Sequence, residues 1–176
     1  MYSHEFFWYR DQVEWHSFSV STKADLPRSL ATPEGIEDRL RMVAFAELVA
    51  HKAFLWASEH LEAAPNIHSF WRYLAQEEAK HAAWLIERMQ QLNIDPAARK
   101  VSNKLWLSLI GCTHATQFAH FMASAEERGT EAGLKFFDEI KTKDPITAGI
   151  FLKIAQEEKE HVSGAYQLFP LDQPTS

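Results

Sequence analysis

The sequence predicts an all-α protein, a four-helix bundle built from two tandem helical hairpins with a crossover connection. Three observations carry that prediction. Apolar residues recur every three or four positions over long stretches, as at Trp71, Leu74, Ala75, Ala82, Leu85, Met89 and Leu92, and so form one stripe along a helix. Abrupt joints at Ala64-Pro65-Asn66 and Lys143-Asp144-Pro145 leave room only for a tight turn between antiparallel helices. The chain also repeats itself. Sliding it by 80 residues without a gap sets Met42 on Met122, Glu59 on Glu139 and Pro65 on Pro145, and Ala-Gln-Glu-Glu-x-x-His at 75–81 on the same string at 155–161.

The elements follow in order. Residues 1–31 are an N-terminal extension rich in aromatics (Phe6, Phe7, Trp8, Tyr9, Trp15 and Phe18), read as a short helix to about Ser17 and then a loop through Pro27. These rings are expected to pack on the body of the molecule; a dimer contact or a lid over the site is the sharper alternative. The bundle occupies 32–169. Thr32-Pro33-Glu34 starts its first helix with an N-cap, a proline at the first position and an acid in the first turn. That helix runs to about Ala63 on the stripe Leu40, Val43, Ala44, Glu47, Ala50, Phe54 and Leu61. The second begins near Ile67 and reaches about Leu92, where Asn93-Ile94-Asp95-Pro96 ends it. A crossover continues to about Asn103. The third helical region covers about 103–140 with a break expected near Gly111, and the fourth covers about 146–168. Residues 170–176 form a C-terminal tail.

At 176 residues, 46% hydrophobic and 24% charged, the chain fits one globular domain. Its net charge of −6 and pI near 5.8 lack the basic footprint of a nucleic-acid binder, and anionic membranes are poor partners for the same reason. No apolar run approaches the roughly 18 residues of a membrane span, and the start, MYSHEFFWYRDQVEW, is charged where a signal peptide is apolar, so a cytoplasmic location is expected. One cysteine, Cys112, excludes an internal disulfide, a Cys-x-x-Cys pair and a four-cysteine metal site. Any metal must be held by oxygen and nitrogen.

Glu78 and His81 lie in the apolar stripe of the second helix, side by side at i and i+3. A carboxylate and an imidazole on a core face need partners, because an unpaired buried charge costs several kcal/mol. Glu158 and His161 repeat the pair on a stripe of Phe151, Ile154, Ala155, Val162 and Ala165. Glu47 is the interior acid of the first helix. On the third, Glu126 and Glu127 are neighbours about 100° apart around the axis, so both cannot face inward. The repeat selects Glu127, which precedes Glu158 by 31 residues just as Glu47 precedes Glu78. The candidate set is therefore Glu47, Glu78, His81, Glu127, Glu158 and His161. Four carboxylates and two imidazoles suit a dinuclear site for divalent metals, two iron ions or manganese foremost, with mixed or zinc occupancy also compatible. Four negative charges would neutralise two divalent cations. The bland alternative is a metal-free bundle in which acids and histidines pair with one another.

With these residues the chain resembles the ferritin-like superfamily of di-iron carboxylate proteins, and within it the rubrerythrin and erythrin branch, over about residues 36–168. The resemblance implies that Glu78 and Glu158 bridge two irons, with Glu47 and His81 completing one and Glu127 and His161 the other. It also implies reaction of the reduced centre with hydrogen peroxide or dioxygen. Three departures stand out. The single cysteine cannot build a rubredoxin domain, so a separate electron-donor protein is implied. Where many relatives carry a further carboxylate one turn past the third-helix ligand, this chain has Thr130; Glu131 and His51 are candidate outer-sphere substitutes. Where relatives often place a tyrosine two turns past the first-helix ligand, Phe54 and Leu134 stand here.

Other polar residues take the blander reading. His51, His114 and His120 read as surface or supporting groups rather than ligands, and Glu77 and Glu157 as solvated. Trp56, Trp71, Trp84 and Trp106 read as packing. Gly129 and Gly133 each cost up to about 1 kcal/mol of helix stability, which either close packing or room for an oxidant would explain. The expected function is a non-haem di-iron oxidoreductase, working as a homodimer. The alternatives are an iron-binding or storage protein with ferroxidase activity, and an oxygenase acting on an organic substrate. The last requires an apolar pocket beside the metals.

Overall fold

In the computed structural model, which describes residues 15–169, the two helical hairpins lie in tandem along the chain. Helix α1 (Pro33–His60) turns at 61–64 into α2 (Pro65–Gln91). A short α3 (Lys104–Ile110) precedes α4 (Ala115–Ile140), which turns at 141–144 into α5 (Pro145–Leu168). The break expected near Gly111 falls at 111–114. Phe6, Phe7, Trp8 and Tyr9, the start of the predicted N-terminal helix and the tail at 170–176 lie outside the described residues.

Local chemistry starts the helices where the sequence asks. Thr32 Oγ1 accepts the Gly35 N–H at 3.2 Å with Pro33 at the first helical position. Asp144 caps α5 by accepting from the Thr147 N–H at 3.0 Å. Gly35 is required by a close approach: a Cβ there would lie 1.8 Å from the Ser29 carbonyl oxygen, so the entering loop rests directly on the helix start.

α1 packs along the length of α2 and α4 along α5, while α2 meets α5 and α1 meets α4 over narrower stretches. The core includes the fully buried Trp71, Phe45, Phe118 and Phe151. Trp71 lies edge-on to Phe118 at 5.4 Å between ring centroids and parallel to Phe169 at 6.2 Å. Trp15 packs edge-on to Phe45 at 4.8 Å and Trp106 at 5.5 Å, and Phe18 lies 5.4 Å from Phe45. The two described aromatics of the extension thus sit on the body of the molecule. Arg88 of α2 holds the hairpins together, donating to Thr147 Oγ1 at 2.9 Å and to Asp144 Oδ1 at 3.0 Å.

The crossover holds a feature that local periodicity does not announce. Strand β1 (Ser19–Ser21) pairs in parallel with β2 (Lys100–Ser102), Val20 opposite Val101. Asp38 on α1 anchors this corner. It is 3% exposed and accepts from the Arg28 backbone N–H at 2.9 Å, Arg28 Nε at 3.0 Å and Arg41 Nη1 at 3.2 Å, with Arg99 Nε at 3.3 Å. Burial alone would raise its pKa, but the Arg28 hydrogen bonds and the Arg99 charge hold it at about 2. Among the described residues no helix is long and apolar enough to cross a membrane.

Candidate metal centre

Six buried side chains meet at the middle of the bundle, none more than 9% exposed: Glu47 from α1, Glu78 and His81 from α2, Glu126 from α4, and Glu158 and His161 from α5. They form two overlapping sets, Glu47, Glu78, His81 and Glu158 on one side and Glu78, Glu126, Glu158 and His161 on the other. Within each set the potential ligand atoms lie within 4.8 Å of one another. Glu78 and Glu158 belong to both. Each histidine turns Nδ1 inward: His81 Nδ1 is 3.0 Å from Glu158 Oε1 and 3.7 Å from Glu47 Oε2, and His161 Nδ1 is 3.2 Å from Glu78 Oε1. The two imidazoles face each other at 5.7 Å, 23° from parallel.

The sequence reading placed Glu127 in this set, and the structure puts it elsewhere. Glu127 is exposed and accepts a hydrogen bond from Tyr166 at 3.1 Å, while its neighbour Glu126, 8% exposed, points into the cluster. The cause is a change of register. Glu47 precedes Glu78 by 31 residues and Glu126 precedes Glu158 by 32, so α4 is offset by one residue against the gap-free repeat. The local period carried the correct signal: Ala119, Met122, Ala123, Thr130 and Gly133 flank Glu126 on one buried stripe. Glu127 lies instead among His120, Ser124 and Glu131.

Glu157 is a second residue whose role sequence reasoning missed. It was expected to be solvated, yet its Oε2 lies 2.9 Å from His81 Nε2 and 2.8 Å from Lys80 Nζ, and Lys80 also pairs with Glu77. A carboxylate on Nε2 fixes the tautomer with its proton there, which leaves Nδ1 free to act as a ligand. The proposed supporting residues differ from this. His51 bonds through Nδ1 to the Ala75 carbonyl at 2.6 Å, tying α1 to α2, and Glu131 is exposed. His120 bonds the Phe169 carbonyl at 3.1 Å, and His114 is exposed. Trp84 lies under the ammonium groups of Lys153, at 3.9 Å, and Lys80, at 5.4 Å.

The electrostatics are those of a cluster short of positive charge. Burial, with the neighbouring Glu78 and Glu158, pushes Glu47 well above the ordinary carboxylate range, and burial with the same two acids does likewise for Glu126. For His161 burial acts downward, but Glu158 and Glu78 outweigh it and raise the imidazole to about 10. His81 is raised further by Glu158, Glu47 and Glu78 against the same burial effect. Despite these short distances, Glu78 Oε1, both Glu158 oxygens, Glu126 Oε1 and the Nδ1 atoms of His81 and His161 make no hydrogen bond. Buried polar atoms are rarely left so. Six such atoms on one cluster, all hard or borderline donors, fit divalent cations.

The family model for rubrerythrin matches residues 38–168. The chain belongs to the rubrerythrin family. Comparison with curated proteins and with solved structures returned no match. Rubrerythrins are di-iron proteins of the ferritin-like superfamily, and the bundle and the buried carboxylate–histidine cluster of this member agree with that placement. Family membership implies a bound metal, typically iron, and this rubrerythrin could hold it through the cluster.

Proposed function

We propose that this rubrerythrin family member is a non-haem di-iron oxidoreductase that reacts with dioxygen or hydrogen peroxide. The observation that carries the reading is the pair of four-residue sets sharing Glu78 and Glu158, with donor atoms left unbonded in the protein itself. Glu47 and His81 would complete the first metal position, and Glu126 and His161 the second. Two irons held there would supply electrons to one oxidant when bound.

The chain's own residues set the conditions for that chemistry. Glu78 and Glu158, shared by both sets, hold the two positions at a fixed spacing. Glu157 keeps the His81 proton on the outer nitrogen. Burial of all six residues limits the bulk water that reaches them. Reducing equivalents would come from a donor outside these 176 residues, whose single cysteine cannot build a four-cysteine iron site. A homodimer in the cytoplasm remains the expected working form.

Elemental analysis of protein purified without added metal should find about two irons per chain. After anaerobic reduction, stopped-flow mixing with dioxygen or peroxide should give oxidation of the centre far faster than that of free ferrous iron. Absence of bound metal, or oxidation at the free-iron rate, would overturn the reading. A large hollow oligomer retaining many irons per chain would move the assignment to storage.

A further inference from the structure

Beside the carboxylates a cavity of about 140 Å³ opens between α1 and α4, and its inner end is formed by Glu47, Glu78, Glu126 and Glu158. Every other lining residue is apolar or glycine, among them Ala50, Met122, Gly129, Gly133, Phe136 and Phe151. Gly129 is exposed, so the space reaches the surface there. The sequence of α4 creates it. Seven residues past its acid α1 carries Phe54, which fills core, while α4 carries Gly133; three past, α1 carries Ala50 and α4 Gly129. A Cβ added at Gly129 would meet nothing within 4 Å, whereas one at Gly133 would rest on Ala155 Cβ at 3.4 Å and the Phe151 carbonyl oxygen at 3.5 Å. Gly129 therefore keeps space open, while Gly133 lets α4 lie close against α5.

We propose that this cavity binds a small, uncharged, apolar organic molecule, about the size of benzene, directly against the four carboxylates. Size and chemistry both point there. A cavity of about 150 Å³ lined by apolar side chains takes up benzene or xenon, and the wall here is apolar everywhere but at its carboxylate end. Dioxygen is several times smaller than the space. A peroxide or hydrated cation would find hydrogen-bond partners only at the carboxylate end and would give up the rest along the apolar wall, at about 1–3 kcal/mol for each unsatisfied group. A bound organic molecule would lie between the surface and the acid cluster, in contact with the side where the metals are proposed to sit. Binding to the apolar wall does not itself require those metals.

The test uses the full chain, both metal-free and iron-loaded, titrated with benzene and followed by saturation-transfer NMR. Saturable binding is expected in both forms. Gly129→Leu, whose side chain projects into the open space, should weaken it at least ten-fold while metal content and helical signal stay at wild-type values. Where that variant does not fold, Gly129→Val and the ¹²⁹Xe chemical shift of xenon-equilibrated wild-type protein give the same readout. No saturable benzene binding by the wild type, undiminished binding by the folded variant, or preference for benzamidinium over benzene would each overturn the proposal. Loss of metal loading with benzene binding intact would sink the redox reading alone; metal loading without benzene binding would sink this one alone.

Discussion

The two hairpins share a motif on their second helices and part company on their first. α2 and α5 superpose residue for residue: Leu74 and Ile154, Ala75 and Ala155, Glu78 and Glu158, His81 and His161 are all buried and all 80 apart. On α1 and α4 the buried pairs are Leu40 with Ala119, Ala44 with Ala123 and Glu47 with Glu126, each 79 apart. The one-residue slip exchanges the neighbours of the acid. His51 on α1, tied to the Ala75 carbonyl, corresponds to Thr130 on α4, whose buried hydroxyl makes no hydrogen bond; Phe54 corresponds to Gly133. The outer contacts differ as well. Lys80 stands where the second hairpin has Glu160, and His81 has the Glu157 carboxylate on Nε2. A duplicated fold thus keeps its acids and histidines paired while one side becomes packed and the other open.

The largest test of this pairing is metal content. Glu78→Ala or Glu158→Ala should abolish binding of both ions, since each residue serves both sets. Glu126→Ala should lose about one ion, and Glu127→Ala none, as read by elemental analysis; a reversal of that last pair would return the register to 80. Next is the packing contrast. Phe54→Ala removes a side chain 2% exposed and should cost about 3–5 kcal/mol in denaturant unfolding, as for a core phenylalanine cavity. Gly129→Ala should instead stabilise, by up to about 1 kcal/mol, because a new methyl meets nothing and glycine is a poor helix former. A loss on that substitution would show the open side to be needed for folding.

Glu157→Gln probes the outer contact of His81. Removing the carboxylate should weaken metal affinity about 10–100-fold, the usual range for such supporting groups, whereas Glu77→Gln should change it little. Equal effects would mean that both act only through Lys80. The smallest effect concerns Asp38, which anchors α1 and whose counterpart 79 positions on is the exposed Gln117. Its pKa is lowered on folding, so its contribution is complete above its ordinary value near 4 and is lost as pH falls through about 2. Asp38→Asn should therefore melt below wild type at pH 7, with the gap narrowing from about pH 4 to pH 2. A gap independent of pH would assign the effect to packing.

Much of this is legible in the sequence. Proline-marked joints and stripes of period 3.6 gave helix limits within two or three residues, because caps and amphipathicity are local. Glu47, Glu78, His81, Glu158 and His161 were found since polar residues on an apolar stripe are conspicuous. Glu126 was missed by trusting the repeat over the stripe around it. Glu157 was passed over because a residue off the buried face of its own helix can still face a neighbouring one. The β1–β2 pair joins three-residue segments far apart in the chain, and a period of two over three residues is no signal. The cavity depends on the distance between α1 and α4, which a hydrophobic stripe does not encode; Gly129 and Gly133 hinted at it without choosing between close approach and open space.

The parallel pairing of Ser19–Ser21 with Lys100–Ser102 also bears on the order of assembly. Each hairpin closes through contacts only tens of residues apart, whereas this pairing must wait for a loop of about 80 residues to shut, at a cost that rises as (3/2)RT ln n. Each hairpin can therefore close before the strands pair, and the seam can open again without parting either hairpin. Amide exchange at Val20 and Val101 should then report an event separate from exchange at the centre of α2.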